Sequence, residues 1–217
     1  MCTPFIRNHQ LNLIKKQVGQ LQQACSTVSD PKVIESVRSN APFKVMEAFP
    51  GATEAEQRLL GGFAPLNKPQ EFQSYLQSLE NYMLPFEKVE EKQLKKLFPK
   101  VKKLKVPDLA AMDLRYVTYL GWTDIASNKM FLAYHLNGRL VGVEGRFTPV
   151  QKKSVCFLCN RHEEVALFSA VTKSRPANAS PDYYKAIGNY MCVNSESCNK
   201  NITDVTVLER FISDIVL

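Results

Sequence analysis

The 217 residues leave room for one large domain or two small ones, and 45% hydrophobic residues is ordinary for a packed core. No uninterrupted apolar stretch approaches the ~18 residues of a membrane-spanning helix, so the composition excludes a helical membrane protein and points to a soluble one. The net charge of +7 is concentrated, because eight lysines between Lys88 and Lys105 face only Glu90 and Glu91. Such a block attracts nucleic acid, an acidic protein face or an anionic membrane surface, and is equally compatible with a solvated helix face and strand edge.

From Asn8 to Val28 the residues Leu11, Ile14, Val18, Leu21, Cys25 and Val28 recur in steps of three and four, the stripe of one long helix with Cys25 in its core face. Ser29-Asp30-Pro31 caps a second helix through Val33, Ile34 and Val37, with proline at its first position. Thr53 and Glu56 have capping-box spacing ahead of Leu59 and Leu60, and Gly61-Gly62 can end that helix. A fourth helix after Pro69 carries Phe72, Leu76, Leu79 and Met83. Short helices with one apolar face each bury best as a bundle, expected over residues 1–85.

The pattern changes at Leu84-Pro85-Phe86, where a second domain, 86–217, is expected to begin. A short helix with Leu94, Leu97 and Phe98 ends at Pro99. Strands then follow: Arg115 to Trp122, and a hairpin of Met130–Leu136 with Arg139–Phe147 around Asn137-Gly138, which pairs Tyr134 with Val141 and Leu132 with Val143. Trp122 reads as a core anchor or lid. This linker helix and antiparallel lobe are expected over 86–150, and 151–217 holds a strand at Val165 to Val171, a polar loop through Pro176 and Pro181, a strand around Tyr190 and Met191, and a final helix with Leu208, Phe211, Ile212 and Ile215 on one side.

Four cysteines fall in this last segment. Cys156-Phe157-Leu158-Cys159 is the tight turn from which structural zinc takes its first two thiolates, while Cys192 and Cys198, five residues apart, make a less regular second pair. Structural zinc competes here with buried free thiols and with two disulfides. The chain opens without a secretory signal, which favours a reducing cytosol and disfavours disulfides. His162 could replace one thiolate or be an exposed loop residue. A metal turn, a hairpin and a helix in this order describe a treble clef, with Cys198 near the helix start if the chain turns helical from Ser195. The fold class is therefore α+β: a helical bundle, then a β-rich lobe and a C-terminal four-cysteine treble-clef finger.

No catalytic constellation is legible. There is no GxGxxG, P-loop, HExxH or GxSxG, and His9, His135 and His162 fall in three different segments. The chain reads as a non-enzyme. One binding reading is a zinc-containing RNA or ribosome-binding module, with Lys95 to Lys105 on phosphates and Tyr183, Tyr184 or Tyr190 stacking on bases.

Three motifs in order carry a resemblance over the whole length. They are the lysine-rich run Leu94 to Pro107, the segment Gly121-Trp122-Thr123-Asp124-Ile125-Ala126-Ser127-Asn128, and Gly188-Asn189-Tyr190-Met191-Cys192 with Cys198-Asn199-Lys200 and Thr203-Asp204. In these the chain resembles the elongation-factor-G-binding proteins of the FusB type, which confer fusidic acid resistance. The resemblance implies a cytoplasmic, monomeric protein that binds the ribosomal translocase EF-G through its zinc finger. It further implies that the protein promotes EF-G release from the ribosome, meeting the ribosome only transiently or indirectly, and leaves the drug unaltered. It implies zinc on Cys156, Cys159, Cys192 and Cys198, and Tyr190 on the EF-G-facing surface. Val155 and Ile187 stand where family members carry an aromatic residue and a lysine; Phe157 and Lys185, close by, are the candidates to compensate.

Overall fold

The stripe of three- and four-residue steps becomes α1 (Asn8–Thr27) in a computed structural model that describes residues 3–217 apart from 175, 177, 179 and 181. Cys2 and Pro181 therefore lie outside the described residues. The chain divides into two units, Met1–Leu84 and Pro85–Leu217.

In the N-terminal unit α1 is followed by α2 (Pro31–Met46), α3 (Glu54–Leu60) and α4 (Pro69–Ser78), the last running into a 3-10 turn at Leu79–Tyr82. Leu11, Ile14, Val18 and Leu21 are fully buried. The stripe then drifts, as a 3.5-residue repeat must on a 3.6-residue helix. Ala24 takes the next core position, and Cys25, expected in the core, sits half-buried at its rim beneath the Arg38 guanidinium, 3.7 Å away. A similar offset turns Val33 outward at 45% exposure, while Ala41 and Val45 supply the buried positions of α2. Both expected caps form: Asp30 accepts from the Lys32 N–H at 2.8 Å, and Thr53 and Glu56 exchange side chain-to-backbone bonds. The unit is closed by its own ends, since the Tyr82 carbonyl accepts from the N–H groups of Phe5 and Ile6, and the Leu84 N–H donates to Ile6.

The C-terminal unit begins with α5 (Glu91–Leu97) and then builds β1 (Leu120–Asp124), β2 (Lys129–Leu136), β3 (Arg139–Pro149), β4 (Ser154–Val155), β5 (His162–Glu163), β6 (Val165–Val171), β7 (Ala186–Cys192), α6 (Ser195–Asn199) and α7 (Thr206–Val216). The expected first strand is shorter than its composition suggested. Asp113 accepts from the Arg115 N–H, and Leu114–Tyr116 winds into a 3-10 turn before the chain extends. At the hairpin, Asn137 and Gly138 take φ of 50° and 74°, the two left-handed positions of a two-residue primed turn, and Tyr134 faces Val141 while Leu132 faces Val143.

The strands join as one antiparallel sheet in the order β1-β2-β3-β6-β7, with β4-β5 as a separate small hairpin. Because β3 pairs with β6, the segments before and after residue 150 share that sheet. It is covered on both faces. Met130, Leu132 and Tyr134 pack with Leu208, Phe211, Ile212 and Ile215 of α7, whereas Phe131 and Ala133 point the other way, into clusters that include Leu94, Phe98 and Trp122. A strand buried on both faces needs continuous apolar character, which Met130-Phe131-Leu132-Ala133-Tyr134 has. Trp122 stacks on Phe131 at 5.4 Å and meets Phe98 edge-on at 5.7 Å, so it is a core anchor.

Candidate metal centre and the surface it supports

Four side chains from three places converge. Cys156 and Cys159 occupy the turn between β4 and β5, Cys192 ends β7, and Cys198 lies in α6. The turn is shaped by local bonds: the Asn160 N–H donates to the Cys156 carbonyl at 2.9 Å, the Cys156 N–H to Arg161 at 3.0 Å, and Asn160 takes φ of 55°. All four cysteines are buried, and their sulfurs lie within 4.8 Å of one another. The separations of 3.8 Å for Cys156–Cys198 and 3.7 Å for Cys159–Cys192 decide between the sequence readings. A disulfide needs about 2.05 Å. A tetrahedron with metal–sulfur bonds of ~2.3 Å has edges of about 3.8 Å. His162, on β5, is exposed and stands outside the cluster.

The electrostatics agree with that geometry. Side-chain hydrogen bonds from Cys159, Cys192 and Cys198 hold the Cys156 thiol far below its ordinary range, while those from Cys156, Cys159 and Cys192, with burial, push Cys198 far above it. Sulfurs that resist one another's ionisation carry charge together only around a cation. A divalent ion in the middle of four thiolates supplies it and has no open position for chemistry.

The helix bearing Cys198 is fastened to β1. Asn199, buried, accepts from the N–H groups of Thr118 at 2.8 Å and Tyr119 at 3.2 Å and donates back to the Tyr119 carbonyl at 3.0 Å. Ser195 donates to the Gly121 carbonyl at 2.7 Å, and Asn194 caps α6 by accepting from Glu196 and Ser197. The Tyr119 ring fills the space behind this clamp. Its buried hydroxyl has no hydrogen-bond partner at ordinary geometry among the described residues, and burial, followed by charge on Cys198, pushes the phenol well above its usual range. Sequence reasoning singled out neither Tyr119 nor Ser195, and Asn199 only within a motif. The one available signal was a set of small polar residues beside a cysteine, which is common without meaning.

Outside the cluster lies an apolar surface. Tyr190 on β7 pairs directly with Leu167 on β6, and the two are 47% and 37% exposed. The Tyr190 carbonyl accepts from the Phe157 N–H at 2.9 Å, which ties the cysteine turn to this strand, and Val155 beside the turn is 44% exposed. Lys185 is exposed just before β7. The remaining two candidates face inward: Phe157 packs edge-on against Phe211 at 5.2 Å, and Ile187 lies partly buried on the core.

A helical unit followed by a sheet, a four-cysteine turn and two terminal helices defines a protein with a C-terminal treble-clef zinc finger. Residues 5–87 match the family model of the elongation factor G-binding protein N-terminal region, and residues 98–210 match that of the FBP C-terminal treble-clef zinc-finger. The chain belongs to this elongation factor G-binding family. Among solved structures it is similar to the fusidic acid resistance protein FusC, at 27% identity and a TM-score of 0.79, with 98% of each chain covered. No curated protein sequence matches the chain. The finger's metal is structural zinc, for which four buried sulfurs at tetrahedral separations are the donor set. Among the described residues no helix is long and apolar enough to cross a membrane.

Proposed function

We propose that this protein binds EF-G through its zinc-finger unit, residues 86–217, and promotes its release from the ribosome, so that translation continues in the presence of fusidic acid. Zinc on Cys156, Cys159, Cys192 and Cys198 fixes the turn, and the turn fixes the exposed residues beside it. The observation that carries this reading is the patch of Tyr190, Leu167 and Val155, three large apolar side chains left in water on the metal-supported edge of the sheet. An aromatic anchor with aliphatic neighbours is the composition of an interface centre, and Lys185 supplies a charge at its rim. Phe157 acts from behind, bracing the turn against Phe211. The protein acts by binding, with no chemical step on the drug.

The test is the affinity of the full chain for EF-G by calorimetry. Tyr190→Ala with Lys185→Ala is expected to cost tenfold or more, the loss of one to two interface anchors; a change within twofold would remove this surface from the contact. In the same preparation, release of EF-G from ribosomes stalled by fusidic acid should accelerate with the wild-type chain, and the drug should be recovered intact.

A further inference from the structure

A second face of the C-terminal unit carries a different chemistry. A groove of ≈ 850 Å³ runs between the end of α5 and the sheet, with Lys96 and Lys100 on one wall and Lys129, Arg146 and Lys173 on the other. Glu144 is the one carboxylate in its lining, and at 3.4 Å it is engaged by Lys129. Among the described residues Lys96, Lys100, Arg146 and Lys173 make no ion pair. Two of the cations are placed against each other by the fold: Lys129 and Arg146 are direct partners across β2 and β3. Like charges opposite one another on an antiparallel pair are destabilising, and an anion between them reverses that cost. Lys173 is held at the groove by its backbone, whose N–H donates to the Ile215 carbonyl at 2.8 Å.

Tyr184 lines the same groove and is 75% exposed. Cations on two walls suit a string of phosphates. A flat aromatic ring standing in water beside them suits a base, because stacking on a tyrosine contributes about 1–3 kcal/mol and any base supplies the partner face. An acidic peptide would satisfy the charges and leave the ring uncovered. We infer that this groove binds a single-stranded segment of RNA, with its sugar-phosphate backbone along Lys96, Lys100, Arg146 and Lys173 and a base on Tyr184. The site is separate from the Tyr190 surface and does not depend on the EF-G reading.

The test uses the full zinc-loaded chain and a fluorescein-labelled twelve-nucleotide oligouridine, followed by anisotropy from low to physiological salt. Binding is expected, with log K falling by about 2 to 3 per decade of salt for three or four phosphates at ~0.7 each. Lys100→Glu with Arg146→Glu should weaken it at least tenfold, and Tyr184→Ala several-fold with the salt slope unchanged. Zinc content and circular dichroism check each fold; should the charge reversal fail to fold, Lys96→Gln with Lys100→Gln and Lys173→Gln lies outside the strands and should lower the slope by about one or more. The inference is overturned by absent or salt-insensitive binding, by variants within twofold of wild type, or by polyglutamate competing as well as the oligonucleotide. It is also overturned if EF-G affinity falls in parallel in the groove variants, which would make the groove a protein interface. Loss of RNA binding with EF-G affinity intact supports it and leaves the Tyr190 proposal standing on its own test.

Discussion

Gly121 is the residue on which the sheet and the metal centre depend together. A Cβ there would lie 2.7 Å from the Tyr119 ring and 3.0 Å from the Ser195 Cβ. Neither neighbour is a loose end, since the ring is fully buried and Ser195 opens the helix that carries Cys198. Gly121→Ala is therefore expected to destabilise by about 1–3 kcal/mol, the usual cost of overpacking, and to speed zinc loss as α6 is pushed from β1. Urea unfolding and chelator-monitored zinc release check both, and unchanged values would mean that Tyr119 and Ser195 move aside without strain. Tyr119→Phe separates the ring from its hydroxyl. A truly unpaired buried hydroxyl costs stability, so its removal alone would be neutral or favourable. A hydroxyl that donates to the Cys198 thiolate in the zinc-bound centre behaves otherwise: its loss should lower zinc affinity about tenfold, as outer partners of metal ligands commonly do. Competition against a chromophoric chelator decides between these outcomes.

At the scale of elements, the clamp between α6 and β1 fixes the fourth ligand. α6 has five residues, too few to be stable as an isolated helix. Its position comes from the Asn194 cap, the Ser195 bond to Gly121 and the three bonds of Asn199. Asn199→Ala would leave two buried N–H groups and one carbonyl without this partner. At about 1–3 kcal/mol for an unsatisfied group, partly relieved by relaxation, a loss of about 3 kcal/mol is expected in the zinc-loaded protein. A loss below 1 kcal/mol by urea titration would show that water replaces the side chain. This clamp also marks where sequence reasoning stopped. The hairpin was legible down to its register, because Asn137-Gly138 tolerates the left-handed conformations that the turn demands. The core face of α7 was legible too, since Leu208, Phe211, Ile212 and Ile215 keep helical spacing. The cysteine turn stood out from its two-residue interval. The clamp was hidden because Asn199 bonds residues some eighty positions away, and no local pattern reports a long-range partner. The start of β1 was missed for the opposite reason: Asp113 makes a local turn that overrides β-branched composition. The drift of α1 that left Cys25 at the rim follows from helix geometry over six turns, where a stripe counted in threes and fours slowly leaves its face.

For the whole molecule, zinc should separate the two units thermodynamically. The N-terminal unit carries its own core in Leu11, Ile14, Val18, Leu21, Phe63 and Phe72 and closes through the bonds between Phe5, Ile6, Tyr82 and Leu84. In the C-terminal unit the cysteines are part of the same buried cluster as Leu132, Phe168 and Phe211. Metal removal there leaves four polarisable groups in the core and frees α6 and the β4–β5 turn at once. Apparent zinc energies of about 10–16 kcal/mol in small fingers match or exceed the ~5–15 kcal/mol that stabilises a typical domain, so the apo C-terminal unit should lose its cooperative fold. The long helices α1 and α2 belong to the other unit, and the chain's single tryptophan, Trp122, belongs to this one, which provides two independent reporters. Chelation, or Cys159→Ser, is expected to shift Trp122 fluorescence toward a solvated indole and abolish EF-G binding, while most far-ultraviolet helical signal persists with its own thermal transition. Because the ligands must be thiolates, protons compete with zinc, so the same change should appear without chelator as pH falls and reverse as zinc is restored at neutral pH. If tryptophan and helical signals instead collapse in one concerted transition, the two units fold as one cooperative body and the metal governs both.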